Sequence, residues 1–433
     1  MQNRSSITDL HITTCRARTG IVPALRYRKR TLSGVLTRAA RQFPAVVLTG
    51  PRQSGKTTLV RRHFDASHRY CSLDDPVVRQ QALSDPRLLL ERFAPPVILD
   101  EIQYAPELLH YVKADIDEHR REAGRYVLTG SQVFPVMQGV GESLAGRAAV
   151  LSLHSLSLRE ARGLPEPELT WREALLPTDA TSRRDGRPLL RRLDSLLRGG
   201  YPEPAVDRSL DVRLWHASYL QTYLERDVRT LRAVGDLGDF QNFVFALAAR
   251  TGSPLNYADL ARDLRVSPAT VKAWISVLEA SGQVLTVRPY HASLGKRLVK
   301  HPKVFFLDTG TLAYLLGVAD ARQAVEGIAA GPLFEAAVLG QLYRLFIHRG
   351  ELPRLYFWRT TAGEEVDFVI EQGAELIPVE AKRTATPTRR DATGIERFQA
   401  LFGERAPRGL VVCLCRDRHR LTRSVEAMPL GSF

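Results

Sequence analysis

The chain has 433 residues, 44% apolar and 25% charged, a length that predicts about three domains rather than one core. Its longest apolar runs, FPAVVLTG and PPVILD, fall far short of the roughly 20 residues of a membrane span. The four cysteines, Cys15, Cys71, Cys413 and Cys415, have neither metal-ligand spacing nor a disulfide framework, which fits a reducing cytoplasm. A net charge of +14 predicts an anionic partner, with DNA or another nucleic acid first.

Residues 1–30 hold RARTG and RYRKR with Asp9 as their single acid, and read as a mobile basic tail. The composition is compatible with an organellar transit peptide, but a loose extension is the preferred reading. Residues 31–154 alternate short apolar runs with helical stretches, the pattern of a parallel sheet flanked by helices. The first run, AVVLTG, leads into GPRQSGKT (Gly50 to Thr57) and then into the helical TLVRRHF. This is G-x-x-x-x-G-K-T in the strand–loop–helix setting that its chemistry needs. Gly50 and Gly55 let the backbone curl so that N–H groups face phosphate oxygens, and the helix N-terminus adds positive potential. Lys56 is placed to reach the β- and γ-phosphates, and Thr57 to ligate Mg²⁺. Only eight of the 61 basic residues are lysine, so Lys56, and Lys382 further on, stand out.

The next apolar strand, in PPVILDEIQ, ends in Asp100 and Glu101. Asp100 suits an outer-sphere Mg²⁺ contact, and Glu101 suits orientation of an attacking water. A third strand, RYVLTGS, ends in Ser131, a sensor of the γ-phosphate from a neighbouring strand tip. In ESLAGR, Arg147 offers a charge stabiliser, in cis or reaching into an adjacent subunit of a homo-oligomer. Acids after strands and surface arginines are common without function.

Residues 155–250 read as a helical lid or linker, interrupted by the Pro-, Asp- and Arg-rich stretch 164–188. LRGGYPEPAV and YLQTYLERDV within it suggest a tight turn and a packing helix, with no assigned chemistry. In residues 251–325, Ser267 is an N-cap and Pro268 a first helical residue. Val271, Trp274, Ile275 and Leu278 then repeat on one buried face. Ala269, Thr270, Lys272, Ala273 and Ser276 are left outward, as on a helix that enters a major groove. QVLTVRPY and KVFFLD complete a winged helix, joined by a basic loop containing Lys296, Arg297, Lys300 and Lys303.

From 326 to 433 a long helix precedes a hairpin, VDFVI and ELIPVEAK around the turn EQGA. Glu380 and Lys382 share one face of their strand. Glu335 lies on the helix stripe of Val338, Leu339, Leu342 and Phe346, where an uncompensated carboxylate is costly. The bland readings are a helix-dipole glutamate and a solvated ion pair. The sharper one is a nuclease-like metal site: Asp367 and Glu380 hold Mg²⁺ or Mn²⁺, Lys382 serves the attacking water, and Glu335 completes the acidic cluster.

GPRQSGKTTL, SLDDP, VILDEIQ, VLTGS, SLAGR and LLRGGYPEP together resemble a family of prokaryotic AAA-like P-loop ATPases whose C-terminal half is usually catalogued as a domain of unknown function. The resemblance covers the chain from about residue 31 onward. It implies ATP bound by Gly50, Pro51, Arg52, Gln53, Ser54, Gly55, Lys56, Thr57 and Thr58, a Walker B pair at Asp100 and Glu101, and a sensor at Ser131. The C-terminal half is similar to the restriction-endonuclease-like superfamily, with E, D, then E-x-K in the order of the PD-(D/E)xK pattern. Val366 stands where a proline often precedes the aspartate. The expected α/β architecture is therefore a P-loop NTPase domain (31–154), a helical lid, a winged helix and a restriction-endonuclease-like domain (326–433), acting on DNA.

Overall fold

The structure is a computed structural model that describes residues 26–130, 143–166, 168–177, 185–224, 236–291 and 301–433. Ser131 and the basic-loop residues Lys296, Arg297 and Lys300 lie outside them.

The first sheet has five strands: β1 (Ala45–Thr49), β2 (Arg69–Ser72), β3 (Val97–Asp100), β4 (Tyr126–Thr129) and β5 (Ala148–Ser152). All are parallel, in the order β2-β3-β4-β1-β5. β1 is buried throughout because helices cover both faces. Val46 and Leu48 pack with Leu36 of helix α1 (Ser33–Gln42) and with Leu59 and Val60 of helix α2 (Lys56–Phe64). Ala45 and Val47 face the other way, onto Leu89, Leu109 and Val112. Side-chain alternation along the strand makes this two-sided packing possible. β4 separates the strand that feeds the glycine-rich loop from the strand that ends in Asp100.

The second sheet has eight strands in the order β12-β13-β11-β10-β9-β8-β6-β7. β6 (Val284–Pro289) and β7 (Lys303–Phe306) form the expected antiparallel pair. The far end of β6 then pairs in parallel with β8 (Leu355–Arg359), Arg288 opposite Tyr356 and Pro289 opposite Phe357. β9 (Glu365–Gln372) and β10 (Glu375–Lys382) form the hairpin, and β11 (Gly409–Cys413), β12 (His419–Arg420) and β13 (Val425–Pro429) complete the sheet. One continuous apolar core runs from Leu158 to Phe433 and joins helices between residues 158 and 248, helix Pro268–Ala280, helix Ala330–Ile347 and this sheet. Ser267 caps its helix, accepting from Thr270 N at 3.0 Å, and Val271, Trp274, Ile275 and Leu278 are buried, as their spacing requires.

The basic tail does not extend to residue 30. Arg30 is 3% exposed and enclosed by protein partners, because its guanidinium meets a buried carboxylate. Among the described residues no helix is long and apolar enough to cross a membrane.

Candidate functional site

The glycine-rich loop takes three left-handed residues, Gly50 (φ 136°), Gln53 (φ 57°) and Gly55 (φ 94°). Gly50 is doubly constrained, since a Cβ there would lie 2.1 Å from the Leu153 carbonyl oxygen. Lys56 is buried, and its Nζ donates to the carbonyls of Gly50 and Pro51, both at 2.9 Å. The loop thus holds its own ammonium group at its mouth, where phosphate oxygens would compete for it.

Asp100 sits under a converging set of hydroxyls. Thr57 Oγ1 donates to its two oxygens at 2.9 and 3.1 Å, Tyr70 Oη donates at 2.7 Å, and Thr129 Oγ1 donates to Oδ1. Burial, followed by the hydrogen bond to Asp100, pushes the Tyr70 hydroxyl up to about 12, so it remains a donor. Glu101 follows in a left-handed conformation (φ 59°, ψ 48°), a setting that costs a non-glycine residue roughly 1–2 kcal/mol. Its N–H donates to Thr129 Oγ1 at 3.3 Å, and its carboxylate accepts from Gln103. Tyr70 carries no spacing signal, and Thr129 and Gln103, although inside the VLTGS and VILDEIQ stretches, are not marked there as partners of Asp100 and Glu101.

Beside the first turn of α2 lies a cavity of about 230 Å³ whose lining includes Tyr27, Gly55, Thr58, Arg62, Leu156 and Pro202. Arg62 lies over the Tyr27 ring, 4.9 Å from its centroid.

Arg147 is not brought to this loop. In the parallel register Ala45 pairs with Ala148 and Thr49 with Ser152, so Arg147 stands at the N-terminal edge of β5 while the loop leaves the C-terminal edge of β1. Its guanidinium forms a two-pronged contact with Asp117, at 2.6 and 3.1 Å. A role in cis is therefore corrected: the length of the two paired strands separates Arg147 from the loop by about 13 Å.

At the second sheet the hairpin register pairs Val379 with Phe368, which brings Asp367 and Glu380 to adjacent positions. Asp367 Oδ2 accepts from Ala381 N at 2.8 Å, and Lys382 Nζ donates to Glu380 Oε2 at 3.0 Å. Burial first, and then the Asp367 charge, pushes Glu380 up to about 9 and Glu335 up to about 7. Lys382 is raised against its own burial by Glu380 and Asp367. The four residues therefore share one electrostatic environment. Three neighbours escaped the sequence reading. Glu365 adds a carboxylate, Lys303 pairs with it, and Gly394 leaves room, since a Cβ there would lie 2.6 Å from Glu380 Oε1. Lys303 is 4% exposed and begins strand β7, so its place in the basic loop is corrected. The donors are hard oxygens, which suit Mg²⁺ or Mn²⁺. Among the described residues, however, no three His, Cys, Asp or Glu side chains are gathered closely enough to hold an ion.

Residues 42–162 match the AAA domain family, residues 191–322 a domain of unknown function (DUF8612), and residues 330–433 another, DUF4143. The first match coincides with the parallel sheet, the glycine-rich loop and the Asp100–Glu101 pair, and the class is an AAA-like P-loop ATPase. Uncharacterized protein Rv2008c of Mycobacterium tuberculosis is 30% identical over 374 residues, covering 86% of this chain and 78% of that protein. Uncharacterized protein Mb2031c of Mycobacterium bovis gives the same identity and coverage. The chain belongs to the family of these mycobacterial proteins. A solved structure, the Walker-type ATPase PABY2304 of Pyrococcus abyssi, aligns with 67% of this chain and 99% of its own length, at 16% identity and a TM-score of 0.40.

Proposed function

We propose that the protein binds and hydrolyses ATP with Mg²⁺, and that this cycle serves a winged-helix and nuclease-like half acting on DNA. The observation that carries the ATPase reading is the convergence of Lys56, Thr57, Asp100 and Glu101 at the C-terminal edge of one parallel sheet. The Thr57 hydroxyl and the Asp100 carboxylate fit Mg²⁺, which when bound would neutralise phosphate charge. Lys56 exchanges two backbone carbonyls for phosphate oxygens. Glu101, held by Gln103, orients the water that attacks the terminal phosphorus. The cavity beside Tyr27 and Thr58 receives the nucleoside. Calorimetric titration of ATP with Mg²⁺ into the full chain tests this: wild type binds, and Lys56→Ala loses at least about a hundredfold in affinity. Equal affinity of the two proteins would overturn the site assignment.

In the nuclease-like half, Asp367 and Glu380, with Glu335 beside them, would hold Mg²⁺ or Mn²⁺, which would supply a more acidic bound water. Lys382 would hold or orient that water. Outward Lys272 and Ser276 on helix Pro268–Ala280 suit a nucleic-acid backbone. A second reading, a nucleotide-switched DNA- or protein-binding regulator whose nuclease-like fold is silent, is favoured by one observation. The Asp367 and Glu380 carboxylates are already engaged by Ala381 N and Lys382. Incubating plasmid and linear DNA with the full chain, with and without ATP and Mn²⁺, separates the two: cleavage lost in Asp367→Asn supports the first, and intact DNA throughout supports the second.

A further inference from the structure

Arg30 is buried yet reaches four groups. Its Nη1 donates to Ser54 O of the phosphate loop at 2.8 Å and its Nη2 to His154 O at 2.5 Å. Its Nε lies 3.3 Å from Glu160 Oε2, and Nη2 lies 3.4 Å from His348 Nε2. Glu160 is fully buried, accepts from Thr31 N at 2.7 Å and Ser157 N at 3.0 Å, and stands 3.2 Å from His348 Nδ1. Burial raises this carboxyl, but Arg30 and then His348 override it and hold Glu160 well below the carboxylate range. Burial lowers His348, so the neutral ring with Nδ1–H donating to Glu160 and Nε2 accepting from Arg30 satisfies both contacts.

Two consequences follow from this wiring. In a trans peptide the carbonyl and the next N–H point in opposite directions. By holding Ser54 O, Arg30 fixes which way the Gly55 N–H faces at the loop's closing turn. His348, in turn, is the residue that ends helix Ala330–Ile347. The same helix is bolted to the 153–160 segment by Leu158 N to Gln341 Oε1 at 2.9 Å and by Arg344 to Ser155 O and Oγ at 3.1 and 2.7 Å. Near its other end it carries Glu335 into the carboxylate cluster. The 13 residues from Glu335 to His348 span about 20 Å of rigid helix.

We propose that Arg30 is a positioning residue of the phosphate loop and that, through Glu160 and His348, it links the nucleotide state of that loop to helix Ala330–Ile347 and the carboxylate cluster at its far end. This rests on the ATP reading above. Phosphate draws Lys56 from the Gly50 and Pro51 carbonyls, which rearranges the loop whose Ser54 carbonyl Arg30 holds. A buried, mutually paired set of charged and polar groups answers such a change by moving as a unit, because leaving one member unpaired is expensive. Linkage makes the effect reciprocal: a change at His348, which reaches the loop through Arg30, alters ATP affinity.

The test is ATP titration combined with amide hydrogen exchange on the full chain, for wild type, His348→Ala, His348→Gln and Arg30→Lys. In wild type, ATP slows exchange at 50–58 and also at 340–350 and 375–382. His348→Ala weakens ATP about fivefold or more and loses the response at 340–350. His348→Gln, which still reaches Glu160, returns to within about twofold of wild type. Arg30→Lys keeps the charge but not the fork, and loses about tenfold. A merely structural cluster gives a different result: a lower melting temperature in His348→Ala with ATP affinity and exchange response unchanged, which would overturn the link. If His348→Ala does not fold, the wild-type exchange pattern decides, and ATP binding without any change at 340–350 overturns the link alone. A wild type that binds no ATP removes the ATPase reading and the link together.

Discussion

Asp100 and Glu380 are both buried carboxylates on strands, yet their surroundings differ. Asp100 accepts from the hydroxyls of Thr57, Tyr70 and Thr129. Glu380 has only Lys382 against burial and the neighbouring Asp367, and is pushed up to about 9. The sign of its linkage is that of an acid whose folded value is raised. The folded state binds more protons than the unfolded one from about pH 4.5 upward, so stability falls as pH rises through the Glu335 and Glu380 values of about 7 and about 9. Melting temperatures between pH 5 and 9 are expected to decline, and Mn²⁺ is expected to reverse part of the decline at pH 8 in wild type but not in Asp367→Asn. A flat profile indifferent to Mn²⁺ would contradict the carboxylate account. The acids themselves were legible from motif and alternation. Tyr70 and Lys303 were not, because each reaches its site from a strand with no fixed sequence spacing to it, and Gln103, although within VILDEIQ, showed no partner until the turn folded.

At the scale of elements, glycines mark where two segments approach too closely for any side chain. Gly200, in LRGGYPEP, receives Leu156 N at its carbonyl at 2.6 Å and donates to Asp308 Oδ2 at 2.8 Å. A Cβ there would lie 2.5 Å from Leu156 O. Gly200→Ala is expected to destabilise the protein by about 1–3 kcal/mol in urea unfolding, through a backbone clash that cannot relax by rotating a side chain. A change below about 0.5 kcal/mol would mean the turn shifts freely. The tight turn was readable from the paired glycines, but its partner Asp308 was not, since the contact spans 108 residues. The same limit applies to β6. Its pairing with β7 follows from two adjacent apolar runs, whereas its parallel pairing with β8 is set by tertiary packing and joins stretches that the sequence presents as separate domains.

Across the whole molecule, the shared core from Leu158 to Phe433 means that the helices after the first sheet and the C-terminal sheet stand or fall together. Tests of the carboxylate cluster therefore belong on the full chain rather than on a 326–433 fragment. The net charge of +14 predicts that DNA affinity, where it exists, falls steeply with salt, with a slope set by the number of phosphates contacted. Lys272→Ala should reduce that slope by about one, and a binding constant independent of salt would mean that the positive charge serves solubility alone. The central claim is turnover at the glycine-rich loop, and it is tested most directly by steady-state ATP hydrolysis of the full chain beside Lys56→Ala and Glu101→Gln. The account predicts Mg²⁺-dependent hydrolysis by wild type, none by Lys56→Ala, and ATP bound but turned over at least about a hundredfold more slowly by Glu101→Gln. Hydrolysis by Lys56→Ala at the wild-type rate would contradict it.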